Sequence, residues 1–214
     1  MVKNIVFDMG GVLIRFDRDL FISRLHLQRE DGDLLKREVF LSLEWARMDR
    51  GTMDEAEAAR AICERLPERL REAARQLVFS WDDPILPVEG MEELLRQLKE
   101  GGYRLFLLSN ASVRQHEYWT SVPGHQYFED TLISADTGLV KPQPEFYTLA
   151  CRRFGIAPEE SLFIDDLPLN AEGAFFTGMR PIVFHGDTGG LREAICREGV
   201  VLPDGGTKSC TGRT

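Results

Sequence analysis

Three short apolar runs, Ile5-Val6-Phe7, Leu105-Phe106-Leu107-Leu108 and Leu162-Phe163-Ile164, each stop at a polar side chain: Asp8, Ser109 and Asp165. Unbroken runs of β-branched, aromatic and leucine residues predict strands buried on both faces, as in a parallel sheet. Between the first run and the second the pattern turns helical: Leu20, Phe21 and Leu25, then Leu34, Leu35, Val39, Phe40 and Leu43, then Ala56, Ala59, Ile62 and Cys63. Thr52 and Glu55 have the spacing of a capping box for a helix beginning near Met53. These helices predict an antiparallel bundle inserted into the sheet domain. Trp81-Asp82-Asp83-Pro84, with Pro87 just beyond, marks the return.

From there helix and strand alternate. Met91, Leu94, Leu95 and Leu98 form one helical face stopped by Gly101-Gly102. Pro144 starts a helix with Phe146, Leu149 and Ala150 inward and Gly155 past its end. A further helix is predicted over Asn170–Thr177, closed by Gly178, and a strand over Pro181–Phe184. The fold class is therefore α/β, a Rossmann-like parallel sheet core with an inserted α-helical bundle cap. The core takes residues 1–16 and 84–202 and the cap 17–83, while 203–214 have turn and linker composition and are expected to lack regular structure.

Chemistry gathers where the predicted strands end, the edge at which open α/β sheets bind ligands. Asp8 is followed almost at once by Gly10-Gly11, which lets the backbone turn and approach a ligand. Ser109 and Asn110 open an anion-binding corner at an expected helix start. Lys141 stands before Pro142, which keeps it out of helical geometry and leaves its ammonium on a loop. Asp165-Asp166 are adjacent carboxylates that repel unless a cation sits close to both, and such hard oxygen ligands suit Mg²⁺. Each feature has a bland alternative: a turn cap at Asp8, a helix N-cap at Ser109, a solvated charge at Lys141, an Asx turn at Asp165-Asp166. Their joint occurrence in this order argues against coincidence.

In this order the residues resemble the four motifs of the haloacid dehalogenase superfamily, a resemblance that runs through about His185. It implies that Asp8 is the nucleophile that becomes an aspartyl-phosphate. Ser109, with the backbone N–H of Asn110, would clamp phosphate oxygens, and Lys141 would tie nucleophile to phosphate. Asp166, with Asp165 beside it, and the carbonyl of Gly10 would join Asp8 in holding Mg²⁺. Within the family, Asp8-Met9-Gly10-Gly11-Val12-Leu13, Asn170 and the cap phrases Ser42-Leu43-Glu44-Trp45 and Asp49-Arg50-Gly51 are most similar to the branch containing sugar-phosphate phosphatases such as glucose-1-phosphate phosphatase.

One position departs from the family pattern. The usual phosphatase of this family carries a second aspartate two residues after the nucleophile, to protonate the leaving oxygen and then activate water. Here that place is Gly10. A positioned general acid contributes about 10²–10⁴ in rate. Its absence suits a leaving group that needs little protonation, such as an anomeric hydroxyl, or a dehalogenase, or a non-catalytic phosphate-binding protein. Family dehalogenases use no metal, so Asp165-Asp166 favours phosphate chemistry. Asp17 and His116 are candidate substitute acids, although a helix cap and an exposed helix position are the simpler readings of them.

The expected function is an Mg²⁺-dependent hydrolase of a small phosphomonoester, a sugar phosphate in the first instance. A closing cap excludes bulk water, leaves little room for a polypeptide and supplies the discrimination that the core motifs lack. Trp45, Arg47 and Arg50 are candidates to line its opening, with Trp45 equally suited to the cap core. The mixed charges at 28–39 and 64–75 read as solvated cap faces. A net charge of −9 argues against nucleic acid or an anionic membrane as partner. Cys63, Cys151, Cys196 and Cys210 show neither metal spacing nor tight pairing, as expected of thiols in a reducing cytoplasm. The first strand begins too early for a signal peptide, and no apolar run approaches the ~18 residues of a membrane helix. A monomer and a homodimer fit equally well.

Overall fold

The computed structural model describes residues 1–203; the expected irregular tail lies, apart from Pro203, outside the described residues. Five parallel strands, β1 (Asn4–Phe7), β2 (Arg104–Ser109), β3 (Phe128–Ile133), β4 (Ser161–Asp165) and β5 (Arg180–Val183), form one sheet in the order β3-β2-β1-β4-β5. The three apolar runs are its centre. Ile5, Phe7, Leu105, Leu107, Leu162 and Ile164 face one layer, where they meet Met91, Leu94, Leu95 and Leu98 of α6 (Met91–Glu100) and Leu191 and Ile195 of α10 (Thr188–Arg197). Val6, Phe106, Leu108 and Phe163 face the other, against Phe146, Tyr147, Ala150 and Phe154 of α8 (Pro144–Phe154) and Ala174 of α9 (Pro168–Phe176). Alternation along strands covered on both faces accounts for the continuous apolar runs. Because β1 is flanked by β2 on one side and β4 on the other, the strand order reverses at β1, and a crevice opens at the carboxyl ends there.

The stretch between β1 and α6 folds as α1 (Arg18–Ser23), α2 (Arg29–Leu35), a π-helical turn (Lys36–Phe40), α3 (Leu43–Asp49), α4 (Glu55–Arg65) and α5 (Arg71–Ser80). These helices have a hydrophobic cluster of their own, including Phe21, Leu35, Val39, Phe40, Met48, Ile62, Leu70 and Leu77. Trp81 packs against both this cluster and that of the sheet.

Four expectations need correction. The α4 N-cap is Asp54, not Thr52: its carboxylate accepts the Glu57 N–H at 2.7 Å, Glu57 reaches back to the Asp54 N–H, and the Thr52 hydroxyl instead donates to the Arg47 carbonyl. Leu43, expected inward, is 61% exposed, because a new helix starts at the Ser42 cap and resets the phase of the apolar face. Neither β3 nor α10 was evident from pattern. β3 is an edge strand whose Glu129 and Asp130 face water and pair with Lys99, Arg104 and Arg153, which breaks the apolar run. The first turn of α10 holds two glycines and is fixed by Asp187, whose carboxylate accepts the Gly189 and Gly190 N–H groups.

Candidate active site

The ends of β1, β2 and β4 bring Asp8, Ser109 and Asp165 together, and the loop after β3 adds Lys141. The Lys141 ammonium lies 2.8 Å from Asp8 Oδ1 and 2.7 Å from Asp165 Oδ2, with its side chain 1% exposed. Its loop is fixed by Asn110, whose Oδ1 accepts the Lys141 N–H at 2.8 Å and whose Nδ2 donates to the Lys141 carbonyl at 3.1 Å. Burial works against the charged ammonium, but Asp8 and Asp165 outweigh it and hold the lysine protonated. Burial pushes the Asp8 carboxyl up to about 7 despite Lys141.

Asp165 and Asp166 occupy different environments. Asp165 is completely buried, and its oxygens accept from Lys141, the Leu167 N–H and the Asn170 amide. Asn170 is held in turn, its carbonyl accepting the Tyr147 hydroxyl at 2.7 Å. Asp166 is half-buried and lines the cavity, with its carboxyl raised by burial and by neighbouring Asp165. It lies against the backbone of Gly11, where a Cβ would collide with the carboxylate and where φ is +79°. Glycine is required at that position on both counts. Gly10 is less constrained: a Cβ there would touch only Phe16, at 3.4 Å.

Carboxylate oxygens of Asp8, Asp165 and Asp166 lie within 4.8 Å of one another. Lys141 offsets only part of this negative charge, and a hard all-oxygen donor set fits a divalent cation such as Mg²⁺. Because Asp165 is already saturated with donors, Asp8 and Asp166 are the carboxylates with oxygens to offer, and Gly10 lines the same cavity.

That cavity, about 500 Å³, has Asp8, Gly10, Ser109, Asn110, Lys141 and Asp166 at one end. Its far wall comes from the helices and the segments that join them to the sheet: Phe16, Trp45 and Trp81 beside Arg18, Lys36, Asp49 and Glu55. Trp45 both lines the opening and packs on Phe40, ring centroids 4.8 Å apart. Arg47 and Arg50 are exposed and do not line it; on the side opposite Lys141 the lining cations are Arg18 and Lys36. Asp17 caps α1 by accepting the Asp19 and Leu20 N–H groups, and His116 is exposed and pairs with Asp136, so the simpler readings of both hold. Sequence pattern missed Ser134, and it marked Asn170 and Asp49 only within phrases that resemble a family branch, with no role assigned to either. The one signal for Asp49 was Gly51 closing its helix, where φ is +70° and a Cβ would collide with the Ala135 carbonyl.

Residues 2–175 match the model of the haloacid dehalogenase-like hydrolases. The chain belongs to that family. A drimenol cyclase of Aspergillus calidoustus is 27% identical over 196 residues, 86% of this chain, but the chain spans only about a third (34%) of that relative's length. A D-ribitol-5-phosphate phosphatase of Bacteroides thetaiotaomicron is 25% identical over 177 residues, 78% of this chain and 84% of that one. Among solved structures, a HAD family enzyme from Bacteroides thetaiotaomicron in complex with magnesium and inorganic phosphate superposes with a TM-score of 0.64, at 25% identity over 89% of this chain and 99% of that one. Among the described residues no helix is long and apolar enough to cross a membrane.

Proposed function

We propose that this hydrolase is an Mg²⁺-dependent phosphatase of small phosphomonoesters, sugar phosphates foremost, working through an aspartyl-phosphate on Asp8. The observation that carries the reading is the buried Asp8–Lys141–Asp165 chain, set beside Ser109 and the less-occupied carboxylate of Asp166 at the floor of the cavity. Phosphoryl transfer asks mainly for positioning and for cationic neutralisation of charge spread over the phosphate oxygens. Lys141 orients the Asp8 carboxylate and presents its ammonium towards those oxygens, while Ser109 and the Asn110 N–H hold them. Asp8, the Gly10 carbonyl and Asp166 would hold Mg²⁺, with Asp165 fixing Lys141 and Asn170 behind them. Bound there, Mg²⁺ would supply Lewis-acid neutralisation of the phosphate.

Residues 17–83 would act as the cap. A cavity of about 500 Å³ suits a small metabolite. The faces of Phe16, Trp45 and Trp81 suit the apolar side of a sugar ring, and Arg18, Lys36 and Glu55 its hydroxyls. The phosphatase and the magnesium–phosphate complex among the relatives support the same reading. A panel of sugar phosphates assayed for inorganic phosphate, with Mg²⁺ and with excess chelator, tests it. Release that requires Mg²⁺ and favours particular sugars is expected, and release undiminished by chelator would overturn it.

A further inference from the structure

The pocket has a phosphate end and a cap end, and among the described residues Asp49 is the cap-side carboxyl that lines the cavity while holding no hydrogen-bond or ion-pair partner. Asp49 ends α3 and lines the cavity that Asp8, Ser109 and Lys141 floor. Two contacts fix its place against the core. Its carbonyl accepts the hydroxyl of Ser134, a fully buried side chain whose oxygen also accepts the Ala111 N–H at 3.0 Å. Gly51, two residues on, is pressed on the Ala135 carbonyl. Ser134 thus ties the Asp49 backbone to the loop that follows Ser109. The Asp49 carboxyl makes no hydrogen bond or ion pair among the described residues, whereas the other cap carboxylates on the cavity wall are engaged: Asp17 with the α1 N–H groups, Asp19 with Lys36, Glu55 with the Ser112 hydroxyl.

We propose that Asp49 supplies, from the cap, the proton-transferring carboxyl that the first motif lacks at Gly10. The inference rests on the phosphatase reading. As an Asp8 oxygen bonds to phosphorus and the bond from phosphorus to the leaving oxygen breaks, the Asp49 carboxylic acid gives its proton to that oxygen and the alcohol departs. The Asp49 carboxylate then takes a proton from a water whose oxygen bonds to phosphorus. The Asp8–phosphorus bond breaks, inorganic phosphate leaves, and both side chains return to their starting states.

A general acid must hold its proton at the working pH, and burial pushes the Asp49 carboxyl up to about 8. Arg18 of α1 acts against this and Asp8 at the end of β1 adds to it. The Tyr118 phenol also faces Asp49 and stays neutral, raised first by burial, while Asp17, Asp19, Lys36, Glu55, Asp166 and Lys141 make up the rest of the charged lining. Because the acid stands on the cap, proton transfer would require the cap to be seated, which couples chemistry to closure.

Asp49→Asn keeps the shape of the neutral acid and removes its proton. With Mg²⁺, the variant should lose about 10²–10⁴-fold in kcat/KM on an alkyl phosphate such as a sugar 6-phosphate. On p-nitrophenyl phosphate, whose leaving group needs no acid, the burst of p-nitrophenolate should persist while steady turnover falls, since water then lacks its base. Adding Gly10→Asp to Asp49→Asn should recover at least tenfold on the alkyl phosphate, the position having room for a Cβ. In the unmutated protein, kcat/KM for the alkyl phosphate should fall above pH about 8, and that limb should be absent with p-nitrophenyl phosphate. Equal losses on both substrates with no burst, or turnover within twofold of the parent on both, would overturn the role of Asp49. So would an alkyl-phosphate profile without the alkaline limb, even if the variant failed to fold. If the parent releases no phosphate from p-nitrophenyl phosphate with Mg²⁺, the phosphatase reading itself fails and takes this inference with it.

Discussion

Among the described residues the charged groups on the floor of the cavity are held by others, Asp166 apart: Lys141 and Asp8 by each other, and Asp165 by Lys141, the Leu167 N–H and Asn170, which Tyr147 holds in turn. On the opposite wall, aromatic faces and polar side chains come mostly from short helices joined to the core through Ser134 with Asp49, Ser112 with Glu55, Arg114 with Asp82 and the packing of Trp81. The floor sits at the ends of strands buried on both faces and is rigid by construction. The wall belongs to a bundle with a separate hydrophobic cluster. The difference assigns them different work. A fixed floor suits charge stabilisation that must cost no reorganisation, and a wall carried by helices with a hydrophobic cluster of their own suits substrate selection and closure.

The largest expected effect lies on the floor. Asp8→Asn should lower turnover by about 10³-fold or more while the far-UV spectrum and Tm stay close to the parent's, because the nucleophile goes but Lys141 keeps Asp165. Lys141→Met should cost about 3–5 kcal/mol in denaturant unfolding as well as activity, since it leaves two buried carboxylates facing each other. Asp49→Asn on the wall has no such buried pair to break, so a loss of stability from it comparable to that of Lys141→Met would erase the contrast, whatever it does to activity.

The central strands were legible because burial on both faces writes an unbroken apolar run, and the residues at their ends could be read as chemistry. Edge strand β3 was not, because Glu129 and Asp130 are satisfied by cations brought from α6, β2 and α8, and no local pattern encodes those partners. Asp165 and Asp166 look alike in sequence; only the arrival of Lys141 and Asn170 from elsewhere makes one saturated and leaves the other facing the cavity. A role for Asp49 was not legible for the same reason, although the phrase Asp49-Arg50-Gly51 stood out. Its place depends on the docking of α3 onto the turn after β3, a contact between residues far apart in the chain.

Smaller effects sharpen the comparison. Gly11→Ala should destabilise by about 1–3 kcal/mol and weaken Mg²⁺ binding, as the new methyl displaces Asp166 from a backbone that also needs positive φ. Arg65→Met should cost about 1–2 kcal/mol, because Arg65 bonds Glu44 through both Nη atoms at 2.8 Å, and the pair is only partly exposed. Arg65 holds the Glu44 carboxyl below its usual 4.5, so this stabilisation is full above pH about 4.5 and is lost as the pH falls through the lowered value. Unfolding curves of parent and variant should therefore converge in acid. Gly10→Ala should change stability by less than about 1 kcal/mol, since its Cβ meets Phe16 at an ordinary 3.4 Å. A loss there equal to that of Gly11→Ala would mean that the two glycines serve one purpose.

The central claim is that Asp8 carries phosphate during turnover. The protein is mixed with Mg²⁺ and p-nitrophenyl phosphate, quenched in acid within the first turnovers, and its peptides are weighed. An acid-stable, hydroxylamine-labile phosphate on the peptide containing Asp8, absent when chelator replaces Mg²⁺ and absent from Asp8→Asn, is the predicted result. Turnover with no phosphorylated peptide at any quench time, or phosphate carried by another residue, would contradict it.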